Sequence, residues 1–431
     1  MLKTLNFIRN NFLFKVTSVN TLLVVVRMVF SIVTQKILAI LIGAEGIAQV
    51  GNLKNVYSFF EQFSILGTSN GLVKYISEFK DNRDKLNDLF STGMVFASIA
   101  SLFSFLILFF WSTSVSNIIF GENNQFGYIF KILAFVVPFM GVNSILNALL
   151  NGVSAYKIYS KVTLATIIIS FILIVFLTMK SNVEGTLLAI VLTPVIQLIM
   201  VILFFSKFYA QLIDVNKFSF NLSFKNGLLS YSIMSIVVIL SINATDVAVR
   251  DLIEKKTSVQ DAGYWTALTS ISKTYMQFTA AIFPLYILPK YSTITSTHHF
   301  RKEVLTIYKL LLPFVVTGLV FIYLFRNLVI HLLYTNEFLE MANLFKWQLM
   351  GDFLKFIALV MAYQFLAKRQ IWYFVFTELL SVILFYIFSV YFIKLYGTEG
   401  VVMAHFFRYI VYLLVVLYIL RFNFIGKDRS L

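Results

Sequence analysis

The chain has 431 residues, 59% of them hydrophobic and only 13% charged, with a mean hydropathy of +0.85. That balance excludes a soluble globular protein of this length and describes a chain that crosses a membrane many times. The net charge of +15 does not point to nucleic acid, because neither a reading motif nor a basic soluble surface accompanies it. The lack of cysteine removes disulfides, thiolate metal sites and cysteine nucleophiles.

Residues Met1 to Thr17 carry Lys3, Arg9 and Lys15 around short apolar stretches with no small-residue cleavage site, so they read as a retained cytoplasmic or interfacial segment. Apolar runs of roughly 20 residues suffice to cross a bilayer as helices. They fall near 18–42, 46–74, 87–113, 127–152, 156–179, 184–206, 226–250, 262–289, 304–325, 344–367, 371–394 and 399–421. With both termini cytoplasmic, the basic clusters Lys74 to Lys85, Lys157 and Lys161, Lys207 to Lys225, Lys290 to Lys302, Lys368 with Arg369, and Lys427 with Arg429 fall inside. The connection Ser112 to Phe126, without Lys or Arg, falls outside. Arg250, Lys255 and Lys256 run against this pattern.

The two halves repeat. Phe130-Lys131 and Phe345-Lys346 are separated by the same stretch of chain as Glu184-Gly185 and Glu399-Gly400, and Lys74-Tyr75 and Lys290-Tyr291 lie a single position further apart. The predicted fold is therefore all-α integral membrane, with twelve transmembrane helices in two parallel-related six-helix lobes around a central cavity. The lobes are residues 1–208 and 226–431, joined by a cytoplasmic linker over 209–225.

Charges placed inside the spans carry the functional reading. A charged side chain at a helix centre costs about 2.5 to 3.5 kcal/mol on insertion scales, so it is expected to face a bundle or a wet cavity. Arg27, Lys54, Glu61, Lys273, Asp352, Lys355 and Glu378 lie well inside, while Lys36, Lys131, Asp246 and Arg250 lie nearer the outer ends. Asp352 and Lys355, at i and i+3, share one helix face. Two readings stand side by side. In one, the charges pair structurally, Asp352 with Lys355, Lys54 with Glu61, and Arg27 with Glu378. In the other, Arg27, Lys54, Lys273 and Lys355 line a cavity suited to an anion, while Asp352, Glu61, Glu378 and Asp246 serve ion coupling or charge relay. Lys36, Lys131 and Arg250 are expected to snorkel to the interface, and Arg250 is also an outer-gate candidate.

Asn143, Asn147 and Asn151 recur every four residues and predict interhelical hydrogen bonds. Pro138, Pro194, Pro284, Pro289 and Pro313 predict bends. His298 and His299 are adjacent, His331 and His405 isolated; no spacing suggests a metal site, and all four read as solvated or packed. No Gly-x-x-x-x-Gly-Lys-Ser/Thr phosphate loop occurs, so any drive comes from a proton or sodium gradient, the membrane potential or substrate flux, and no cofactor is implied. An enzyme such as a membrane glycosyltransferase or polymerase would need a larger external loop than Asn327 to Phe345.

Gly46 to Tyr75, Ser270-Ile-Ser-Lys-Thr-Tyr-Met-Gln-Phe278, Leu288-Pro289, Leu344-Phe-Lys-Trp-Gln-Leu349, Gly351-Asp352 and Ala367-Lys368 together resemble the Wzx polysaccharide flippases of Gram-negative bacteria. These belong to the multidrug/oligosaccharidyl-lipid/polysaccharide exporter superfamily. The resemblance runs over nearly the whole chain and is most specific at Trp-Gln-Leu-x-Gly-Asp. It implies a flippase in the bacterial inner membrane, not an enzyme, that carries an undecaprenyl-diphosphate-linked oligosaccharide outward for O-antigen or enterobacterial common antigen assembly. Its partners would be that lipid-linked glycan, membrane lipids and other polysaccharide assembly proteins. The common-antigen branch of the resemblance has an acid where this chain has Lys273, which favours the O-antigen branch. An ion-coupled small-molecule antiporter of the same superfamily is the alternative; it would favour an acidic cavity.

Overall fold

The computed structural model describes residues 12–121, 125–214, 217–218, 220, 222–277, 282–368 and 370–421. Lys3, Arg9, Arg369, Lys427 and Arg429, all used in the topology argument, lie outside them. Every long element is helical, as expected where lipid offers the backbone no hydrogen-bond partner. In chain order, α1 spans Phe12–Phe63, α2 Ser69–Glu78, α3 Arg83–Phe110, α4 Ser112–Phe120, α5 Gly127–Gly152 and α6 Tyr156–Leu212. Next come α7, Lys225–Lys256, α8, Val259–Tyr275, a π-helical turn at Phe283–Ile287, α9, Leu288–Thr293, α10, Thr297–Leu324, and α11, Arg326–Leu333. A 3-10 segment over Asn336–Leu344 leads into α12, Phe345–Ala367, α13, Ile371–Tyr396, and α14, Thr398–Ile419.

Among the described residues, eight helical stretches are long and apolar enough to cross a membrane. Two of the four missing from the twelve apolar runs are merged, since α1 and α6, of 52 and 57 residues, each cover two runs; the other two are the seventh, in α7, and the eighth, neither of which is among the eight. Both are interrupted, α1 at Gly43 and α6 at Ser181 and Asn182. The second predicted span stops earlier than expected, at Phe63, and the chain turns through Leu66 and Gly67, both at positive φ, before α2. The eighth gives way to α8, a π-helical turn and α9. Pro284 falls in the π-helical turn, as a bend there would have it, but three other prolines do not interrupt their helices. α5, α6 and α10 keep helical backbone angles through Pro138, Pro194 and Pro313, while the breaks fall at Gly43 and at the Ser181-Asn182 pair.

The chain divides into two compact units, one of residues 1–42 and 49–240 and the other of 43–48 and 241–431. In the first, Leu72, Leu89, Leu149 and Leu228 belong to one apolar cluster, and Leu53, Phe130, Leu133 and Val191 to another. In the second, Phe283, Tyr291, Phe300, Phe356 and Phe365 are fully or almost fully buried around α10 and α12. The predicted asparagine ladder is partly realised inside the first unit. Asn143 Nδ2 donates to the Pro194 carbonyl at 2.7 Å, and Gln197 Nε2 donates to Asn147 Oδ1 at 3.2 Å.

Local structure repeats at or near the spacing read from the sequence. α3 and α10 each have 28 residues, and each is capped by a side chain, Asn82 accepting from the Lys85 amide and Ser296 from the His299 amide. Asn182 (φ 48, ψ −127) and Gly397 (φ 57, ψ −140), equivalent positions of the two halves, take nearly the same backbone conformation in the turn before a helix. A Cβ on Gly185 would overlap the Leu177 carbonyl, and one on the equivalent Gly400 the Phe392 carbonyl. Glu184 accepts a hydrogen bond from the Tyr128 hydroxyl, and Glu399 accepts one from Trp347 Nε1 at 2.9 Å.

This equivalence makes a testable asymmetry. Asn182 holds a conformation that strongly favours glycine, whereas Gly397 has no atom closer to an added Cβ than Thr257 Cγ2 at 3.7 Å. Gly397→Ala is therefore expected to lower stability by about 1 to 3 kcal/mol through backbone strain alone. Asn182→Gly is expected to be at least as stable as the wild type, because the strain relieved offsets the added freedom of the unfolded chain. Thermal unfolding of both variants in detergent measures the difference.

Candidate functional site: a buried carboxylate behind a charged cavity

In the second unit α7, α8, α12, α13 and α14 enclose a cavity of about 300 Å³. Its wall carries three bases, Lys273, Lys355 and Arg408, two acids, Asp246 and Glu378, and the rings of Phe385, Tyr409 and Tyr412. Helical spacing explains the convergence: Glu378, Ser381, Val382 and Phe385 recur on one face of α13, and Arg408, Tyr409 and Tyr412 on one face of α14.

The charges are not met equally. Lys273 Nζ lies 3.4 Å from Asp246 Oδ2, and Tyr412 donates to Glu378 Oε1 at 3.2 Å. Lys355 and Arg408 make no ion pair within 4.0 Å among the described residues. Their surroundings are aromatic. Lys355 Nζ is 6.0 Å from the centre of the Tyr409 ring; the Arg408 guanidinium is 4.7 Å from that ring and 4.1 Å from Phe385.

Asp352 stands one layer behind. It has no solvent access, and its carboxylate is fully engaged. Oδ2 accepts from Ser272 Oγ at 2.6 Å, from the Tyr275 hydroxyl and from Gln348 Nε2 at 3.2 Å. Oδ1 lies 3.1 Å from His405 Nε2, and His405 Nδ1 lies 3.0 Å from Arg408 Nη2. A guanidinium can only donate, so His405 Nδ1 must hold the lone pair. The ring proton then sits on Nε2 and is donated to Asp352.

This arrangement corrects two sequence expectations. Asp352 and Lys355 share a helix face but are not an ion pair, so Lys355 does not hold Asp352 in the way expected. His405 is packed, as expected, but it is not isolated. The same rule that picked out Asp352 and Lys355 would have picked out His405 and Arg408, which are i and i+3 inside the last apolar run. Ser272, Tyr275 and Gln348 carried no such signal, because hydroxyls and amides are common in apolar helices.

The other expected site residues are placed as follows. Lys273, Lys355, Glu378 and Asp246 come together in the cavity. Arg27, Lys54 and Glu61 belong to α1 in the first unit, with exposed side chains. Lys131 is exposed, its Nζ 5.9 Å from the Phe109 ring. Arg250 does not snorkel. It is 3% exposed, donates from Nε to Thr266 Oγ1 at 2.8 Å and packs over Trp265.

Each position of the Trp-Gln-Leu-x-Gly-Asp segment except its variable one now has a physical role. Trp347 bonds Glu399, Gln348 bonds Asp352, and Leu349 is buried. Gly351 lets α14 approach, since a Cβ there would overlap the His405 ring. A profile described as "Polysaccharide biosynthesis protein" matches residues 37–343. The chain belongs to the polysaccharide biosynthesis protein family.

Two relatives, the lipid III flippases of Escherichia coli K12 and Shigella flexneri, are each 27% identical over 380 residues, covering 88% of this chain and 90% of theirs. Among solved structures, an inward-facing multidrug resistance MATE family transporter of the MOP superfamily matches with a TM-score of 0.70 at 15% identity, covering 92% of this chain and 95% of its own. The lipid II flippase MurJ, in an inward closed conformation, also matches at 0.70 with 14% identity, covering 94% and 87%. The fold is therefore the one shared by these transporters. This family member is a multi-pass membrane protein and not an enzyme.

Gly351→Ala should push His405 off Asp352 and destabilise the fold by about 1 to 3 kcal/mol. Because both changes act on one contact, Gly351→Ala combined with His405→Ala should cost less than the sum of the single changes. A double-mutant cycle by thermal unfolding reads this directly; strict additivity would show that the contact is not made.

Proposed function

We propose that this protein is a flippase that moves an undecaprenyl-diphosphate-linked oligosaccharide from the cytoplasmic to the periplasmic leaflet of a bacterial inner membrane by alternating access. The observation that carries the reading is a cavity enclosed by apolar helices whose wall holds three bases against two acids. Charges of that kind persist among membrane helices where they serve a polar cargo, and a basic surplus suits an anionic one. Family membership and the names of the two relatives support a lipid-linked glycan as the cargo class. They leave O-antigen and common-antigen glycans both open.

Twelve crossings in two six-helix lobes, with both termini cytoplasmic, are part of this proposal. The interruptions of α1 and α6, and the recurrence of cap, turn and glycine contacts at equivalent places in the two halves, support it. Lys273 and Lys355 in the second unit, and Arg27 and Lys54 in the first, are assigned to the diphosphate. Glu61, Glu378 and Asp246 are assigned to charge relay or coupling to protons or sodium. An inside-negative potential favours outward movement of negative charge by about 2.3 kcal/mol per charge per 100 mV, which assists a diphosphate without a coupled ion. A small-molecule antiporter for cationic drugs would favour the opposite charge balance.

Export is expected to fail in Lys273→Ala and Lys355→Ala cells in which the variant protein is present and folded in the membrane. Surface glycan in a strain lacking the native gene measures this, and normal glycan in both variants would sink the assignment. Purified protein should also prefer undecaprenyl diphosphate to neutral undecaprenol, the preference weakening at higher salt.

A further inference from the structure

We infer that Arg408, with Lys355 near the same Tyr409 ring, is the principal anion-binding group of the cavity, and that Asp352 and His405 are positioning residues that aim it. The inference deepens the flippase reading and rests on it for the source of the anion. Its first support is what Arg408 lacks. The guanidinium lines the cavity, has no carboxylate within 4.0 Å among the described residues, and its Nε is buried with no hydrogen-bond partner. A buried donor on a charged group is costly to leave unmet, so an acceptor arriving from the cavity would gain from it. Among the described residues Lys355 also lacks an ion pair, and it lies near the same Tyr409 ring, which places two cations around one ring. Lys273, by contrast, is already beside Asp246.

The second support is how Arg408 is held. Among the described residues its one side-chain hydrogen bond goes to His405 Nδ1, a neutral acceptor, and not to an acid. A carboxylate in that position would neutralise the guanidinium and compete with any incoming anion. An imidazole fixes its direction and leaves its charge available. Asp352 in turn fixes the imidazole by accepting from Nε2, and the donors Ser272, Tyr275 and Gln348 anchor Asp352 from α8 and α12. The negative charge is thereby kept behind the imidazole, away from the cavity. Glu378 is the acid that faces the cavity from α13, and Tyr412 already donates to it. Planar guanidinium and flexible ammonium together suit a multivalent oxyanion, of which a diphosphate is the fitting class.

The test is equilibrium binding to the purified full-length protein with three probes: inorganic pyrophosphate, undecaprenyl diphosphate and neutral undecaprenol. Arg408→Ala and Lys355→Ala are expected to weaken binding of the diphosphate probes at least tenfold with undecaprenol unaffected, and Arg408→Lys to restore part of the loss. His405→Ala should weaken the diphosphate probes several-fold. His405→Gln, which can accept from Arg408 and donate to Asp352, should recover most of that affinity, a rescue that a purely structural role would show in melting temperature but not in selectivity. Loss confined to the lipid probe identifies a head group as the source, and loss with both identifies the shared diphosphate. If Arg408→Ala and Arg408→Lys bind undecaprenyl diphosphate as the wild type does, the inference fails and the flippase reading stands. If wild type binds pyrophosphate through Arg408 but shows no preference for undecaprenyl diphosphate over undecaprenol, the inference stands and the flippase reading fails. No preference for either diphosphate in the wild type overturns both.

Discussion

A carboxylate with no access to solvent, carried on a helix of a membrane protein, has to find its donors inside the fold. Asp352 sets that requirement for the second unit. Four side chains from three helices meet it: Ser272 and Tyr275 from α8, Gln348 from α12 and His405 from α14. The penalty for stranding such a group amounts to several kcal/mol, so the three helices are tied to one relative placement. Arg408 and the cavity wall inherit their geometry from that placement. The glycine at 351 belongs to the same constraint, since the donor on α14 reaches its acceptor on α12 only where one helix presents no side chain.

The sequence made the membrane class, most helical runs and the recurrence of local turns and glycine contacts legible, for a physical reason. Bilayer thickness and hydropathy act on long stretches, and a repeated backbone geometry leaves small, costly-to-replace residues such as Gly185 and Gly400 in register. The interruptions of α1 and α6 were legible as gaps between apolar runs, Gly43 falling between 18–42 and 46–74 and Ser181 with Asn182 between 156–179 and 184–206. Local breaker chemistry was the poorer guide, since Pro138, Pro194 and Pro313 sit inside continuous helices. In a packed helical bundle, neighbouring helices hold a helix that carries a proline in place, and Asn143 makes one such contact by donating to the Pro194 carbonyl.

Within the site, a one-dimensional rule found the charged residues and misread their partners. Spacing along α12 put Asp352 beside Lys355, but a carboxylate takes donors from whichever helices crowd it, and here those are α8 and α14. Arg250 shows the converse. Its position near a span end suggested an escape to the interface, yet Thr266 and Trp265 offer a hydrogen bond and an aromatic face that hold it inside. Which of two available solvation routes a long side chain takes depends on helix packing, and that is not written in the spacing of one helix.

The shared donors of Asp352 have a mechanical consequence. α12 and α14 are joined through His405 and the close approach at Gly351, and α8 is bonded to the same carboxylate. Shear between these helices would break several buried hydrogen bonds together. A rearrangement that spares those bonds has to fall outside that block, and the π-helical turn at Phe283–Ile287, with Pro284 within it, is irregular described backbone that lies outside it.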